Sequence, residues 1–225
     1  MKNKLKKPCI SDFKAMIFDL DGTVFESMEL WNDVDRHYLE RFGLTCPSDL
    51  QDDLEGLSFH ENAVYFKERF HIEDSLDKIE SDWMEMVTEE YCKIVPMKKG
   101  VEDFLKAIKK RGICTGIASS NSKSLIEETL RCRGLASYFD IIVTCDDVSA
   151  NKPAPDVYLK AALLLNTDPK NCLVFEDIPK GITAGHRAGM KVCAVEDPYS
   201  AALRNKKIQM ADYFIDDFTD FAGDF

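Results

Sequence analysis

Residues 15–27 read AMIFDLDGTVFES. Four apolar residues, Ala15 to Phe18, run straight into Asp19, Leu20, Asp21, Gly22 and Thr23. A short, continuously apolar run suits a strand buried on both faces of a parallel sheet. Residues i and i+2 of a strand point to one face, so Asp19 and Asp21 are expected to look the same way. Two carboxylates placed so close repel each other unless a cation lies beside them. The stretch therefore asks what fold carries such a strand and what chemistry wants the pair.

Five further runs read as strands: CTGIAS (114–119), DIIVTC (140–145), CLVFED (172–177), KVCAV (191–195) and YFID (213–216). Helix-period segments alternate with them. VEDFLKAIKKR stops at Gly112, LIEETLRCR at Gly134 and GITAGHRA at Gly189, and PDVYLKAALLL starts with Pro155 in its first turn. Alternating strand and helix predicts an α/β fold, a Rossmann-like parallel sheet covered by helices. The stretch from Met28 to Lys93 breaks the alternation. It is helix-periodic and has no convincing strand; its first segment puts Leu30, Val34, Tyr38, Leu39 and Phe42 on one stripe. We expect a helical cap at residues 29–94, inserted after the first strand of a core made of residues 1–28 and 95–225.

The composition sets limits. With 225 residues, 45% of them hydrophobic and 31% charged, the chain suits one domain or a domain with a smaller lobe. A net charge of -11 argues against broad binding to nucleic acid or to anionic membranes. The basic N-terminus MKNKLKKPCI lacks a following apolar segment and reads as a solvated tail, not a signal peptide. No apolar stretch approaches the roughly 18 residues of a membrane span. The 8 cysteines form no CxxC pair and are expected to be reduced, buried and cytoplasmic. His37, His60, His71 and His186 show no metal-binding spacing. The aromatic residues Trp31, Tyr65, Phe66 and Trp83 are expected to pack within the insertion.

Polar residues gather at the predicted strand ends. Asp19 and Asp21 follow the first strand; Ser119, Ser120 and Asn121 follow the second. Lys152 lies beyond the third, in NKPAPD, and Glu176 and Asp177 end the fourth. Parallel strands bring all of these to one sheet edge, where open α/β sheets bind ligands. Several carboxylates suit a hard cation such as Mg²⁺ together with a phosphate group. A Ser/Asn turn before a helix offers N–H groups to an anion, and a Lys adds a point charge. One Asp is then free to act as a nucleophile and another to move a proton.

DLDGT, the second-strand Ser, the Lys of KPAPD and the acidic pair of FEDIPKGITAG stand in the order found in the haloacid dehalogenase superfamily. The chain resembles that family over residues 13–28 and 96–217, and the helical insertion resembles its cap. The resemblance implies a phosphatase that works through an aspartyl-phosphate. Asp19 is the implied nucleophile and Asp21 the implied acid, then base. Ser119 and Lys152 would hold phosphate with the N–H groups of Ser120 and Asn121. Asp19, the Asp21 backbone carbonyl and Asp177 would hold Mg²⁺, with Glu176 beside them or as a further ligand. An acid at Asp21 suits ester cleavage, where an alkoxide needs a proton, and not carbon–halogen cleavage.

DGTVFESMELW also resembles sugar-phosphate phosphatases and β-phosphoglucomutases, which often carry Asp where Glu26 stands. Where many of these relatives have a cap Arg, this chain has Phe59, although Lys67, Arg69 or His60 offers a substitute cation. The expected substrate is a small sugar or polyol phosphate. The alternatives are a phosphomutase, a phosphoglycolate or nucleotide phosphatase, and a non-catalytic binding protein on the same fold. The chain is expected to act as a cytoplasmic monomer, without nucleic-acid or membrane partners.

Overall fold

A computed structural model of the chain describes residues 7–224. Of the solvated tail expected at MKNKLKKPCI, residues 1–6 lie outside them; the rest corrects the expectation, because Pro8 and Ile10 are buried, and Ile10 opens a short 3-10 helix and joins the core with its side chain. Six strands form one parallel sheet: β1 (Ala15–Phe18), β2 (Cys114–Ser119), β3 (Ile141–Thr144), β4 (Cys172–Glu176), β5 (Lys191–Val195) and β6 (Tyr213–Ile215). Their order is β3-β2-β1-β4-β5-β6, so the chain winds outward both ways from a central β1. The boundary between β1 and β4 is the switch point where such sheets leave a crevice at their carboxyl ends. Each strand lies within the segment expected for it, trimmed by at most two residues.

The register decides which side chains meet. Phe18 pairs with Ile117 on one side and with Phe175 on the other. Asp19 therefore follows β1 at the level where Glu176 ends β4, with Ser119 ending β2 close by. Side-chain alternation splits the core into two layers. Met16 and Phe18 join one, which contains Phe104, Phe175 and Phe218, while Ala15 and Ile17 join the other, with Val143, Val174 and Ile182. Phe18 and Phe175 stack with centroids 4.8 Å apart. Truncating a phenyl ring buried this deeply costs about 3–5 kcal/mol, so the sheet edge stands on a rigid base.

Nine α-helices, with six short 3-10 helices between elements, complete the described fold. Those from the insertion are α1 (Met28–Glu40), α2 (Leu50–Leu54), α3 (Phe59–Phe70) and α4 (Leu76–Lys93). The others are α5 (Val101–Lys110), α6 (Lys123–Cys132), α7 (Asp156–Leu164), α8 (Pro179–Arg187) and α9 (Arg204–Met210). Apolar residues of α5 and α6 join the first core layer, and those of α7 and α8 the second.

Within the insertion, Ser58 and Glu61 form a reciprocal capping box that starts α3, and Ser75 caps α4. Trp83 of α4 is the hub of the packing, with ring centroids 5.0 Å from Phe66, 5.6 Å from Phe59 and 5.7 Å from Tyr38. Val34, Tyr38 and Leu39 are buried as the stripe on α1 predicts. Phe42 is not: it lies past the end of α1 and is 40% exposed. The short helices α2 and α9 carry too few apolar residues to stand out as periodic segments.

The expectation of eight reduced cysteines is corrected. Cys92 and Cys132 form a disulfide with their Cα atoms 5.6 Å apart. They occupy the last turns of α4 and α6, two helices that pack together. That approach joins positions 40 residues apart and leaves no local spacing signal. Of the six free cysteines, Cys145, Cys172 and Cys193 are buried as expected, whereas Cys9 is exposed and Cys46 and Cys114 are half-buried.

Candidate active site

β1 stops at Phe18, so strand alternation does not carry on to Asp21. Beyond Asp19 the chain folds back: the N–H groups of Val24 and Phe25 both donate to the Leu20 carbonyl, and Gly22 N–H donates to Phe25 O at 2.7 Å. Gly22 has a φ of 74°, and a Cβ there would run into the Asp177 carboxylate. The turn thus needs glycine both for its conformation and for its neighbour. As a result Asp19 and Asp21 open on one cavity but have separate partners.

Asp19 belongs to a buried charge cluster. Lys152 Nζ lies 2.6 Å from Asp19 Oδ1 and 2.6 Å from Glu176 Oε1, and it also donates to Ala118 O at 3.1 Å. Tyr158 donates its hydroxyl proton to Glu176 Oε1 at 2.6 Å, and the N–H groups of Asp177 and Ile178 donate to Glu176 Oε2. A Cβ at Gly181, in the first turns of α8, would occupy the space of the Glu176 carboxylate. Thr23 donates to Asp177 Oδ1 at 3.1 Å. Asp19, Lys152, Glu176 and Asp177 are each at most 8% exposed.

The electrostatics follow from the count: three buried carboxylates share one ammonium group. Burial pushes the Asp19 carboxyl up to about 8; Lys152 opposes this, while Glu176 and Asp21 add to it. Burial also drives the Asp177 carboxyl far above its ordinary range, reinforced by Glu176 and Asp19. For Lys152, burial favours the neutral amine, but Asp19 and Glu176 override it and keep the ammonium charged. Carboxylate oxygens of Asp19, Glu176 and Asp177 all lie within 4.8 Å of one another. A buried oxygen set with surplus negative charge is chemically suited to a small hard cation.

Asp21 sits at the rim of this cluster. Ser27 Oγ donates to its Oδ1 at 2.5 Å, the Tyr91 hydroxyl donates to the same oxygen, and Asn121 Nδ2 donates to Oδ2 at 3.1 Å. These three donors hold a carboxyl group in place while leaving it on the cavity wall. Sequence reading found Asn121 but gave it only a phosphate-binding role. It missed Ser27 and Tyr91, as it missed Thr23 and Tyr158. The Tyr91–Asp21 pair spans 70 residues and had no local signal.

The Ser119–Asn121 turn lies where expected, with one difference. The cap of α6 is Ser122, whose hydroxyl accepts from Leu125 N–H at 3.3 Å. Ser119 is buried and accepts from Asn121 N–H at 3.1 Å, so that N–H is already engaged. Ser120 contacts Cys145 Sγ at 3.4 Å.

Asp19, Asp21, Ser119, Ser120, Asn121, Lys152 and Asp177 line a cavity of about 460 Å³ whose opposite wall comes from the helical insertion. Trp31, Phe66 and Trp83, expected only to pack, line it as well. Tyr65 does not; its hydroxyl donates to Asp53 Oδ2 at 2.5 Å.

A family model for haloacid dehalogenase-like hydrolases matches residues 16–195. The chain is 32% identical over 196 residues to the bifunctional riboflavin kinase/FMN phosphatase of Arabidopsis thaliana, covering 87% of this chain and 50% of that protein. It thus spans half the length of that relative. It is 30% identical over 178 residues to the phosphorylated carbohydrates phosphatase of Thermotoga maritima, covering 79% of this chain and 82% of that one. The solved structure of CbbY from Rhodobacter sphaeroides in complex with phosphate has the same fold, with a TM-score of 0.81 at 23% identity over 93% and 96% of the two chains.

Proposed function

The chain belongs to the haloacid dehalogenase-like hydrolases and is a phosphatase of that type, and from this premise we propose that it hydrolyses a small sugar or polyol phosphate with Asp19 as nucleophile and Asp21 as proton carrier. The observation that carries the assignment is the different bonding of the two aspartates. Asp19 is charge-paired inside the buried cluster, while Asp21 is held by neutral donors at its edge.

In this reading an Asp19 oxygen attacks phosphorus and the bond to the ester oxygen breaks. Asp21 gives its proton to the departing alkoxide. Asp21 then takes a proton from water, whose oxygen attacks the phosphorus of the aspartyl-phosphate and frees Asp19 and inorganic phosphate. Ser27, Tyr91 and Asn121 keep the Asp21 carboxyl within reach of both oxygens. Lys152 and Ser119 take up phosphate charge, with the Ser120 N–H beside them. Mg²⁺ would be held by Asp19 and Asp177 side chains and the Asp21 backbone carbonyl, and would neutralise charge on the cluster and the phosphate. Glu176 then serves chiefly to hold Lys152, since both of its oxygens are already engaged.

The helical segment 29–94 acts as a cap over the site, with hinges at 27–29 and 94–99 and a cytoplasmic setting for the small substrate. Among the described residues no helix is long and apolar enough to cross a membrane. A mutase on bisphosphates is not favoured, because Lys152 is the one cation among the cavity's described lining residues.

Release of phosphate from p-nitrophenyl phosphate with Mg²⁺ tests the reaction. Asp19→Asn is expected to abolish it while the variant stays folded. Undiminished turnover by Asp19→Asn would overturn the nucleophile assignment.

A further inference from the structure

The last turns of α4 and α6 meet beside the turn that carries Asp21. Past α4 the chain is tied to that turn: Glu26 N–H donates to Pro96 O at 2.9 Å, and Lys98 N–H to Val24 O at 2.8 Å. At the helix end, Arg133 donates to the carbonyls of Tyr91 at 2.9 Å and Val95 at 2.7 Å, and its guanidinium lies 5.4 Å from the centroid of the Phe25 ring. A cation on the last carbonyls suits a helix C-terminus. Each side of this joint also carries a cysteine. Cys92 follows Tyr91, Cys132 precedes Arg133, and the two are bonded. One charged tether and one covalent tether therefore hold the end of α4, a helix of the insertion, on α6, a helix of the core.

The joint reaches the candidate active site through Tyr91. Its side chain is buried, accepts from the Trp31 indole N–H at 2.7 Å and donates to Asp21. Disulfide-bonded cysteines keep their Cα atoms about 4.4–6.8 Å apart, and those of Cys92 and Cys132 are 5.6 Å apart. While the bond exists, Cys92 has about 1 Å of freedom toward or away from α6, and its neighbour Tyr91 cannot draw away from Asp21. Without the bond, the helix end is held by packing and by the Arg133 hydrogen bonds, which break and re-form as the helix moves.

The bond is open to chemistry. Cys132 is exposed and Cys92 half-buried. The other six cysteines are free, and Cys9 among them is exposed, so the chain is not built as a disulfide frame. An accessible bridge in such a chain is of the labile, regulatory kind.

We propose that Cys92 and Cys132 are a redox modification site whose bond positions Asp21 by holding Tyr91 on it, so that the oxidised protein is the fast form and the reduced protein the slow one. This rests on the reading of Asp21 as proton carrier. The reductant is a dithiol. One of its thiolates attacks a cysteine Sγ, the Cys92–Cys132 bond breaks, and the second sulfur of the dithiol displaces the mixed disulfide. The dithiol leaves as its own disulfide, and two electrons and two protons pass to the protein as two cysteine thiols.

The test compares the full chain in its oxidised form and after reduction with dithiothreitol. Thiol titration of the denatured chain should count six thiols before reduction and eight after it. With p-nitrophenyl phosphate and Mg²⁺, kcat should fall about five- to tenfold on reduction with KM little changed, less than removal of the Tyr91 hydroxyl because Arg133 still ties α4 to α6. Cys92→Ser and Cys132→Ser, made separately, should be slow with or without reductant. Tyr91→Phe should be slow and indifferent to reductant. Hydrogen exchange, which needs no turnover, should speed up about tenfold or more at residues 91–95 on reduction. Eight thiols before reduction, exchange unchanged by reduction, equal kcat in the two forms or a reductant effect that persists in Tyr91→Phe would each overturn the proposal. A protein without turnover in either form would break the phosphatase reading instead, and exchange would still decide whether the bond holds α4.

Discussion

The sheet edge gathers three carboxylates around one ammonium group, whereas the helical wall across the same cavity offers aromatic rings, two amides and a single buried acid paired with Gln51. On the sheet side Lys152, both oxygens of Glu176 and one oxygen each of Asp19 and Asp177 are engaged by neighbouring groups. On the helical side Asn62 Oδ1 and the Trp83 indole N–H are buried without a protein partner. The difference teaches where rigidity and choice reside. Densely connected charges fix atoms for one reaction, since moving one of them exposes the rest to an uncompensated field. A mostly apolar wall sets a preference among ligands and is tolerant of change.

Four expectations press on this contrast, ordered by their effect. Lys152→Met should damage both catalysis and fold. It leaves Asp19 and Glu176 buried side by side, so we expect a loss of about 3–5 kcal/mol in stability and of ~10³-fold in turnover. Thermal unfolding with steady-state rates checks this, and a variant of native stability would mean that the cluster is not held by its lysine. Chelation comes next. EDTA should bring turnover to background, and Mg²⁺ at a hundredfold excess over Kd should raise stability by about 2.7 kcal/mol. Asp177→Asn should lose most of that gain, while Asn62→Leu should keep it; equal gains in both would place the ion elsewhere.

Tyr91→Phe probes the join between the two regions, because Tyr91 lies on α4 but donates to Asp21. Removing a hydrogen bond to a carboxylate costs about 1.5–3 kcal/mol. Turnover should fall about ten- to a hundredfold with little change in KM, and a change confined to KM would show that Tyr91 serves the substrate instead. The expectation that reaches least into catalysis is on stability and belongs to Asp35. Burial raises its carboxyl to about 7 against 3.8 in its ordinary state, with the Gln51 hydrogen bond opposing. The folded protein therefore holds this proton more tightly than the unfolded chain. Its contribution to stability is full below about pH 4, falls as the pH rises to about 7, and is flat above that. Asp35→Asn should raise the unfolding temperature at pH 8 and leave it almost unchanged at pH 4. The same shift at both pH values would show that the carboxyl is not titrating in this window.

Much of the sheet side was legible because its signals are local. Each strand is a contiguous apolar run, and each reactive group sits within three residues of a strand end or, for Lys152, in a marked proline loop. Parallel pairing then brings them together without further information. The helical side was harder to read. Its aromatic residues recur at helical spacing whether they only pack or also face a ligand, so Trp31, Phe66 and Trp83 passed for core. The loss of a cap cation at Phe59 was visible, but the pairing of His60 with Glu80, of Lys67 with the Ile72 and Glu73 carbonyls and of Arg69 with Asp49 was not.

By itself the sequence determined the parallel α/β layout, the helical insertion after β1 and the set of residues at the sheet edge, because apolar periodicity and strand-end chemistry are written in neighbouring residues. Only the tertiary structure decided that Asp19 and Asp21 take different partners, that Tyr91 reaches Asp21, that Cys92 joins Cys132 and that Trp31, Phe66 and Trp83 line the cavity of the carboxylates. Those facts depend on where a turn ends and how helices cross, and such distances are set by packing between residues far apart in the chain.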